Sequence, residues 1–329
     1  MKTALITGGA GFVGRHLTRR LLSLGYKVYI VDNFYPGSGA LHLDQWKLKD
    51  LDIDNLHIIF QDCRDFFKAN LEREADDQFD EVYHLAAIVG GRLVIENDPL
   101  AVAQDLSIDA QFFHWLSRIK YKPKICYFSS SAAYGWVIQQ QQFHTRLKED
   151  LIGFDDEAVM IPDLTYGWSK LTGEYLARIC HKIYGHDITC FRPFSGYGED
   201  QDMSYPFISI LKRVLSNERP VEVWGSGNQV RDFIYIEDCI DGILHLKDHI
   251  HDGSAVNLST GIATSFNDLA RYMNSAVNGS DDLPITNTST KPEGVFWRVG
   301  DTQLQEKLGF VAKTSLYKGI LIAADFITR

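Results

Sequence analysis

Two side chains with the spacing for acid–base chemistry, Tyr166 and Lys170, lie four residues apart. The surrounding stretch has helical periodicity, and positions i and i+4 share one face of a helix. A tyrosine hydroxyl has an unperturbed pKa of about 10, so it acts as a base near neutrality only when positive charge stabilises the phenolate. Lys170 carries such a charge, and the pair predicts proton exchange with a substrate hydroxyl. Taken alone, the same spacing also fits a core tyrosine beside a surface lysine.

A third candidate, Ser130, lies in the run FSSSAAYG at positions 128–135. This run is the end of an apolar, strand-like segment and the residues that follow it. Ligands in open α/β sheets bind beyond the carboxyl ends of the strands, which is where this serine is expected. The sequence therefore predicts a catalytic set of Ser130, Tyr166 and Lys170.

The start of the chain has the pattern of a dinucleotide-binding turn. A strand-like run, Lys2 to Thr7, ends in GGAGFVG, and a helical stretch follows at once. Gly8 allows a tight turn, Gly11 lets the backbone approach a pyrophosphate, and Gly14 lets helix and strand pack closely. The phosphates of a dinucleotide would then meet the N-terminus of the helix.

The next strand-like run ends at Asp32, at the spacing where an acid holds the adenosine ribose of a dinucleotide. A carboxylate pairs with ribose hydroxyls and repels a 2′-phosphate, so Asp32 favours NAD over NADP. The nicotinamide of NAD would bring a second positive charge to Tyr166. Arg15 directly follows the glycine turn, and we expect it beside the pyrophosphate.

Short apolar runs alternate with helical stretches through the first half, which predicts a parallel sheet covered by helices on both faces. The strand-like runs are Lys2 to Thr7, Lys27 to Val31, His57 to Phe60, Glu81 to Leu85, Lys124 to Ser129 and Asp187 to Arg192. The helical stretches are Arg15 to Leu24, Asp65 to Leu71, Pro99 to Ile119 and Thr165 to Tyr184.

The predicted fold is α/β, with a Rossmann-type doubly wound parallel sheet over residues 1–193 and a smaller C-terminal α/β substrate-binding lobe over residues 194–329. Residues 236–260 are expected to pack back on the first domain. The polar stretch Trp136 to Pro162, which includes four consecutive glutamines, is expected to be a surface insertion.

The composition of the chain indicates which binding partners and which cellular compartment to expect. The 329-residue chain is 45% hydrophobic, enough for a large core, and its formal net charge is −10. That charge argues against broad nucleic-acid binding, which needs clustered Lys and Arg. The five cysteines show no metal-site spacing, so we expect reduced, buried thiols and no metal. With no apolar run of about 18 residues and no secretory leader, we expect a cytoplasmic protein without a membrane span.

Eight collinear segments resemble those of the extended short-chain dehydrogenases/reductases, in particular the NAD-dependent nucleotide-sugar epimerase/dehydratase family. They are Gly8 to Gly14, Asp32-Asn33, Asp62-Cys63, His84 to Ala87, Ser129 to Gly135, Tyr166 to Lys170, Arg192 to Phe194 and Gly225 to Tyr235. The resemblance covers nearly the whole chain. It implies an NAD-dependent enzyme in which Tyr166 is the acid/base, Ser130 orients the sugar hydroxyl and Lys170 binds the nicotinamide ribose.

The resemblance also implies two sets of binding residues. Those for NAD are Gly8, Gly11, Phe12, Val13, Gly14, Asp32, Asn33, Asp62, Cys63, Leu85, Ala86, Ala87, Tyr166, Lys170 and Pro193. Those for a nucleoside-diphosphate sugar are Gly90, Gly91, Arg92, Ser131, Ser195, Arg231 and Arg298. Among the second set, Arg231 and Arg298 stand beside glycine-rich turns and are expected to hold the diphosphate. Each of them, taken singly, would also fit a surface salt bridge.

Two positions, Ala132 and Ser204, reduce the number of family reactions that this chain is expected to catalyse. Dehydratases and decarboxylases of the family typically carry an acid just beyond the catalytic serine, where this chain has Ala132. A 3,5-epimerase needs an additional Cys and Lys, which align with Ala132 and Ser204. The remaining reaction is C4 epimerisation through a transient 4-keto sugar, because it needs only a redox step and rotation of the sugar. Dehydratase, 3,5-epimerase, 4-ketoreductase and non-catalytic NAD-binding protein stay as alternatives.

Other positions depart from the family pattern or concern assembly. Ser195 and Asp105 stand where relatives often have asparagine. The resemblance further implies a homodimer through a four-helix contact formed by the stretches Pro99 to Ile119 and Thr165 to Tyr184. The apolar faces of these stretches would equally fit the core of a single chain.

Overall fold

The computed structural model describes residues 1–35, 38–46, 53–71, 78–88, 92–155, 159–291 and 293–328. Its strands are β1 (Thr3–Thr7), β2 (Lys27–Asp32), β3 (Leu56–Phe60), β4 (Glu81–His84), β5 (Lys124–Phe128), β6 (Asp187–Pro193), β7 (Ser195–Tyr197), β8 (Val221–Trp224), β9 (Val230–Tyr235), β10 (Asp252–Leu258), β11 (Ala263–Ser265), β12 (Ile285–Thr288) and β13 (Trp297–Arg298). Its α-helices are α1 (Phe12–Ser23), α2 (Cys63–Ala69), α3 (Arg92–Asn97), α4 (Pro99–Val102), α5 (Asp105–Leu116), α6 (Leu164–Tyr184), α7 (Pro206–Leu215), α8 (Ile236–Leu246), α9 (Phe266–Asn278), α10 (Gln303–Lys307) and α11 (Leu316–Thr328).

A seven-stranded parallel sheet in the order β3-β2-β1-β4-β5-β6-β10 confirms the doubly wound fold. Its strand β1 has the buried apolar run Ala4, Leu5 and Ile6, because helices cover both faces of the sheet. The strand order reverses between β1 and β4, where Thr7 pairs with Val31 on one side and His84 on the other. Such a reversal leaves a crevice at the carboxyl ends of the strands, which is where ligands bind in sheets of this kind.

The second lobe is built on two small sheets. Strand β9 pairs with β11, β13 and β7, and β12 pairs with β8. One continuous apolar cluster joins this lobe to the large sheet, since Ile6 and Phe128 belong to the same buried cluster as Phe207 and Phe266. The chain enters this lobe before β10, yet β10 pairs with β6 and completes the large sheet.

The helical stretch expected over Pro99 to Ile119 is two helices, α4 and α5, and α3 precedes them. At the break, the Gln104 and Leu106 N–H groups donate to carbonyls three residues back instead of four. This tighter turn reorients the chain before Asp105. The sequence period alone carried no sign of the break, because apolar residues recur across it.

The stretch Trp136 to Pro162 links the two lobes and is more than a surface insertion. The Leu147 N–H donates to the Val299 carbonyl, and the Asp301 N–H donates back to the Leu147 carbonyl. Gln139 is fully buried, although the sequence favours an exposed polar run at this point. The stretch therefore ties the first domain to the strand that carries Arg298. Among the helices of the described residues, none combines the length and apolarity that crossing a bilayer requires.

Candidate active site

The glycine turn between β1 and α1 has the geometry that a dinucleotide requires. Gly8 has a φ of +72°, and a Cβ there would lie 2.8 Å from the backbone of Ala86. A Cβ on Gly11 would meet the Gly8 carbonyl oxygen at 3.2 Å, and one on Gly14 would collide with that same oxygen. Helix α1 starts after Gly11 with no side-chain cap and no acid in its first turn. Its N-terminal amides are therefore available to an anion.

Asp32 lies at the end of β2 and is held in place by backbone amides. Its Oδ2 accepts from the Ala10 N–H at 3.0 Å, and its Oδ1 accepts from the Phe34 N–H at 2.8 Å. Burial raises the pKa of Asp32, and these hydrogen bonds oppose that rise. The carboxylate is thus fixed at the carboxyl end of β2.

A cavity of about 310 Å³ runs along the carboxyl ends of β1, β2 and β4. Every residue that the sequence assigns to NAD lines it: Gly8, Gly11, Phe12, Val13, Gly14, Asp32, Asn33, Asp62, Cys63, Leu85, Ala86, Ala87, Tyr166, Lys170 and Pro193. The cradle that a Cβ would fill, the exposed helix amides and the fixed carboxylate together fit a dinucleotide. Within the described residues, no group of His, Cys, Asp and Glu side chains is arranged to hold a metal ion.

Arg15 differs from the expectation that it lies beside the pyrophosphate. Its side chain is buried, and it donates to the carbonyl oxygens of Ala10 and Gly39 and to the carboxylate of Asp200. The guanidinium therefore supports the glycine turn from behind and connects it to the loop that follows β7.

Tyr166 and Lys170 lie one turn apart on α6, at the inner end of the NAD cavity. The Lys170 Nζ is 5.7 Å from the centre of the Tyr166 ring and 5.6 Å from that of Tyr127, and the lysine is 3% exposed. Ser130 follows β5 and lines the adjoining cavity together with Tyr166. The structure therefore brings the three predicted catalytic side chains together.

Burial is the largest influence on Tyr166 and raises its pKa, while Lys170 and a hydrogen bond with Ser130 act to lower it. Lys170 thus acts in the predicted direction, but burial outweighs it in the protein by itself. Burial would also lower the pKa of Lys170, yet the neighbouring Tyr166, Asp109 and Asp105 raise it. The lysine consequently remains an ammonium group at neutral pH.

A second cavity, of about 530 Å³, lies between the two lobes and shares with the first a wall formed by Tyr166, Gly196, Gln201 and Tyr205. Ser195 and the arginines Arg92, Arg231 and Arg298 also line it. Ser131 is buried outside this lining, although Ser130 and Ala132 on either side of it belong to the lining. Gly90 and Gly91, which the sequence also assigns to the substrate, lie outside the described residues.

Arg231 is a half-buried cation for which the structure shows only backbone hydrogen-bond acceptors. It donates to the Val230 carbonyl at 2.8 Å and to the Glu293 carbonyl at 3.5 Å. Burial and the neighbouring Arg298 and Arg92 lower its pKa. Asp163 and Glu293 act in the opposite direction. A guanidinium with no carboxylate in hydrogen-bond contact among the described residues, in a cavity of this size, favours an anionic ligand.

Arg92 and Arg298 meet at Asp163, a residue that the sequence analysis missed. Arg92 donates to both oxygens of Asp163 at 2.9 Å, and Arg298 donates to Oδ2 at 2.7 Å. Burial opposes ionisation of Asp163, but the two guanidinium groups hold its pKa below the usual value. Because Asp163 immediately precedes α6, it joins the arginine cluster to the helix that carries Tyr166. An acid just before a predicted helix was the available signal.

Gln139 is the second residue that the sequence analysis missed. Its Oε1 accepts from Arg298 Nε at 2.7 Å, and its amide nitrogen donates to the carbonyls of Tyr134 and Gly135 at 3.1 Å. The glutamine therefore orients Arg298 towards the cavity. Its place in a polar run gave no indication of this contact.

Comparison with known proteins agrees with this geometry. Residues 4–259 match the profile of the NAD dependent epimerase/dehydratase family. The chain is 26% identical to UDP-N-acetyl-alpha-D-glucosaminuronate decarboxylase of Bacillus cytotoxicus, over 86% of this chain and 82% of that protein. It is 27% identical to GDP-mannose 3,5-epimerase 1 of Oryza sativa subsp. indica, over 96% and 79% respectively. The crystal structure of UDP-glucuronic acid 4-epimerase from Bacillus cereus, in complex with UDP-glucuronic acid and NAD, is 26% identical with a TM-score of 0.80 and covers 99% of both chains.

Proposed function

Since this chain belongs to the NAD-dependent epimerase/dehydratase family, we propose that it is an NAD-dependent nucleotide-sugar epimerase that inverts C4 of the sugar. The observation that carries the proposal is the composition of the cavity wall around Tyr166. Ala132 and Ser204 both line that cavity, and neither side chain serves as an acid/base at neutral pH. A reaction that needs one proton-transferring group fits this wall better than a reaction that needs three.

Two carboxylates in the same wall are already engaged. Asp163 accepts from Arg92 and Arg298, and Glu293 accepts from the Ser226 hydroxyl. An acid held by two guanidinium groups stays ionised and is not a proton donor near neutrality. Asp163 is therefore not available for elimination of water or for abstraction of a carbon-bound proton at C3 or C5.

The residues then act as follows. NAD, bound in the cavity of about 310 Å³, would accept a hydride from the sugar carbon and later return it. Ser130 orients the C4 hydroxyl, Tyr166 takes its proton as the hydride leaves, and the ammonium of Lys170 stabilises the phenolate. Arg231 and Arg298 hold the diphosphate while the 4-keto sugar turns. The hydride then returns to the opposite face of the carbon, and Tyr166 returns its proton to the C4 oxygen.

The test is product analysis on UDP-, GDP-, CDP- and dTDP-sugars, carried out in deuterium oxide. A 4-epimerase yields the C4 epimer without deuterium on carbon, because the hydride returns from the cofactor. Deuterium at C3 or C5 would identify the 3,5-epimerase, and loss of one water from the sugar would identify the dehydratase. Tyr166→Phe should abolish turnover while NAD binding persists, and turnover of no sugar at all would refute the proposal.

We also propose a homodimer and a cytoplasmic location. The outer faces of α5 and α6 expose Leu106, Trp168 and Tyr175, each more than one-third accessible, which suits a contact with a second copy. The described cysteines are all free and buried, as expected in a reducing compartment. Sedimentation of the wild type and of Trp168→Glu tests the dimer, and a wild type that is monomeric at micromolar concentration would refute it.

The domain division is likewise a proposal. We assign residues 1–193 and 236–260 to the NAD-binding domain, on the pairing of β10 with β6, and the remainder of 194–329 to the nucleotide-sugar-binding lobe. In limited proteolysis, NAD should protect residues 1–193 and 236–260 from cleavage more than it protects the rest of the chain.

A further inference from the structure

Asp105, the first residue of α5, places a carboxyl group in the interior close to the catalytic helix. Its side chain is 1% exposed. Oδ1 accepts a hydrogen bond from the Ile88 N–H at 2.5 Å, and Oδ2 is buried with no hydrogen-bond partner among the described residues. Ile88 and the two residues Gln104 and Ile108 line the NAD cavity, so this carboxyl lies in the wall behind that cavity.

The next turn of α5 carries a second buried acid in a different situation. Asp109 has both oxygens engaged, one with His84 Nε2 at 3.2 Å and one with the Tyr127 hydroxyl at 2.6 Å. His84 is fixed in turn by Thr7. Both oxygens of Asp109 are therefore hydrogen-bonded, whereas Oδ2 of Asp105 has no hydrogen-bond partner among the described residues.

The charged and titratable groups that face Asp105 come from two helices. Lys170 and Tyr166 approach from α6, and Asp109 lies one turn further along α5. The remaining contact is the Ile88 amide, which follows β4. Tyr166 and both acids act to raise the pKa of Lys170, so the ammonium charge interacts with all three groups.

We propose that Asp105 is a positioning residue that acts through Lys170 and sets the protonation balance of Tyr166. When Asp105 is ionised it offsets the ammonium charge and favours the phenol. When Asp105 holds a proton, the full charge of Lys170 stabilises the phenolate. The proposal rests on the proposed function, in which that phenolate is the base. The asparagine that the family resemblance implies at this position has no such second state.

Electrostatics place this change near neutral pH. Burial raises the pKa of Asp105 to about 7, although Lys170 and the Ile88 amide act against the rise. Asp105 in turn acts to raise the pKa of Tyr166. The two acids therefore titrate as a coupled pair, so that loss of one proton makes loss of the next harder.

The first experiment measures the proton on Asp105 without using activity. Asp105→Asn keeps an oxygen for the Ile88 amide, and Asp109→Asn is the matched control on the same helix. Because the folded pKa lies above the ordinary value of 3.8, wild-type stability should fall relative to Asp105→Asn as pH rises from about 4 to 7 and then level off. The full change corresponds to about 10³-fold in the unfolding equilibrium. Asp109→Asn should retain this pH dependence, since Asp105 is still present.

The second experiment measures the effect on Tyr166. The ultraviolet absorbance of its phenolate is isolated as the difference between proteins with Tyr166 and with Tyr166→Phe. The difference is recorded with NAD bound, once with Asp105 in place and once in the D105N background. The Tyr166 pKa should be lower with D105N, because the charge that offsets Lys170 has been removed. The acid limb of the pH profile of kcat/KM should move to lower pH by the same amount.

The outcomes separate this proposal from the proposed function. Parallel stability curves for wild type and D105N, or an unchanged Tyr166 titration, would overturn the role of Asp105 even in an active 4-epimerase. Absence of turnover would overturn the function alone, because unfolding and absorbance still report on Asp105. If D105N fails to fold, Asp105→Ser supplies an uncharged acceptor for the Ile88 amide and is judged by the same criteria.

Discussion

The catalytic helix α6 is anchored by one buried ion pair, Glu174 with Arg192, and this pair carries a prediction of large effect. The two side chains are 1% and 2% exposed. Glu174 accepts from Arg192 Nε at 2.8 Å and from its Nη2 at 2.7 Å, and it also accepts from the Ser129 hydroxyl. Since Ser129 precedes Ser130, and Glu174 lies one turn beyond Lys170, the pair fixes two parts of the catalytic site together.

Glu174→Gln keeps the shape of the side chain and removes its charge. The guanidinium of Arg192 then stays buried with only the Tyr134 hydroxyl and the Glu149 carbonyl as further acceptors. Removing one partner of a buried pair costs about 3–5 kcal/mol, because the remaining charge is desolvated and uncompensated. A typical domain has about 5–15 kcal/mol of stability, so this loss is a large fraction of the total.

The assay is urea unfolding of four proteins: wild type, Glu174→Gln, Arg192→Met and the double variant. The double variant should be less destabilised than the sum of the single ones by about 2 kcal/mol or more, because it leaves no unpaired charge. Asp65→Asn is the control, since its ion pair with Lys68 is more than half exposed and contributes less than about 1 kcal/mol. A loss below about 1 kcal/mol for Glu174→Gln would refute the reasoning.

Three further predictions concern the cofactor, the substrate and pH. Gly14→Ala should lower both the melting temperature and the NAD affinity, because the added Cβ collides with the turn. Gly11→Ala should lower the NAD affinity with little change in melting temperature, because its Cβ would lie 3.2 Å from the nearest backbone oxygen. Equal melting temperatures for the two variants would contradict this. Arg231→Met should stabilise the ligand-free protein and weaken binding of a nucleoside diphosphate at least about tenfold by calorimetry, since it removes a half-buried cation that has no carboxylate in hydrogen-bond contact among the described residues. Burial acts to lower the pKa of His16, but the carboxylates of Asp200 and Glu237 raise it to about 9. Its contribution to stability should therefore be complete below pH 6.5 and lost as pH rises through 9, measured as the difference in unfolding free energy from His16→Gln; a pH-independent difference would contradict it.

Some parts of the site are local in sequence, and these were predictable. The glycine turn depends on Gly8, Gly11 and Gly14 alone, because backbone freedom and close approach are properties of those positions. Tyr166 and Lys170 meet because they are four residues apart on one helix. The alternation of apolar strands and helices indicates a parallel sheet without knowledge of any contact.

Other parts depend on residues that are distant in the chain. Gln139 and Asp163 orient Arg298 from 159 and 135 residues away. Nothing in the sequence around Gln139 distinguishes it from a surface polar residue, and the place of Asp163 before a predicted helix does not reveal its arginine partners. The break before Asp105 was invisible to the apolar period, because it depends on hydrogen bonds and on packing against other elements.

The sequence by itself therefore determined the fold class, the geometry of the glycine turn and the one-turn spacing of Tyr166 and Lys170, since each follows from short-range spacing and residue type. Only the tertiary structure decided how charges are balanced inside: that Arg231 has no carboxylate partner among the described residues, that Asp163 joins Arg92 to Arg298, and that Asp105 lies buried near Lys170. Burial and charge partnership are sums over neighbours in space, and the chain path that creates those neighbours is not written in any single segment.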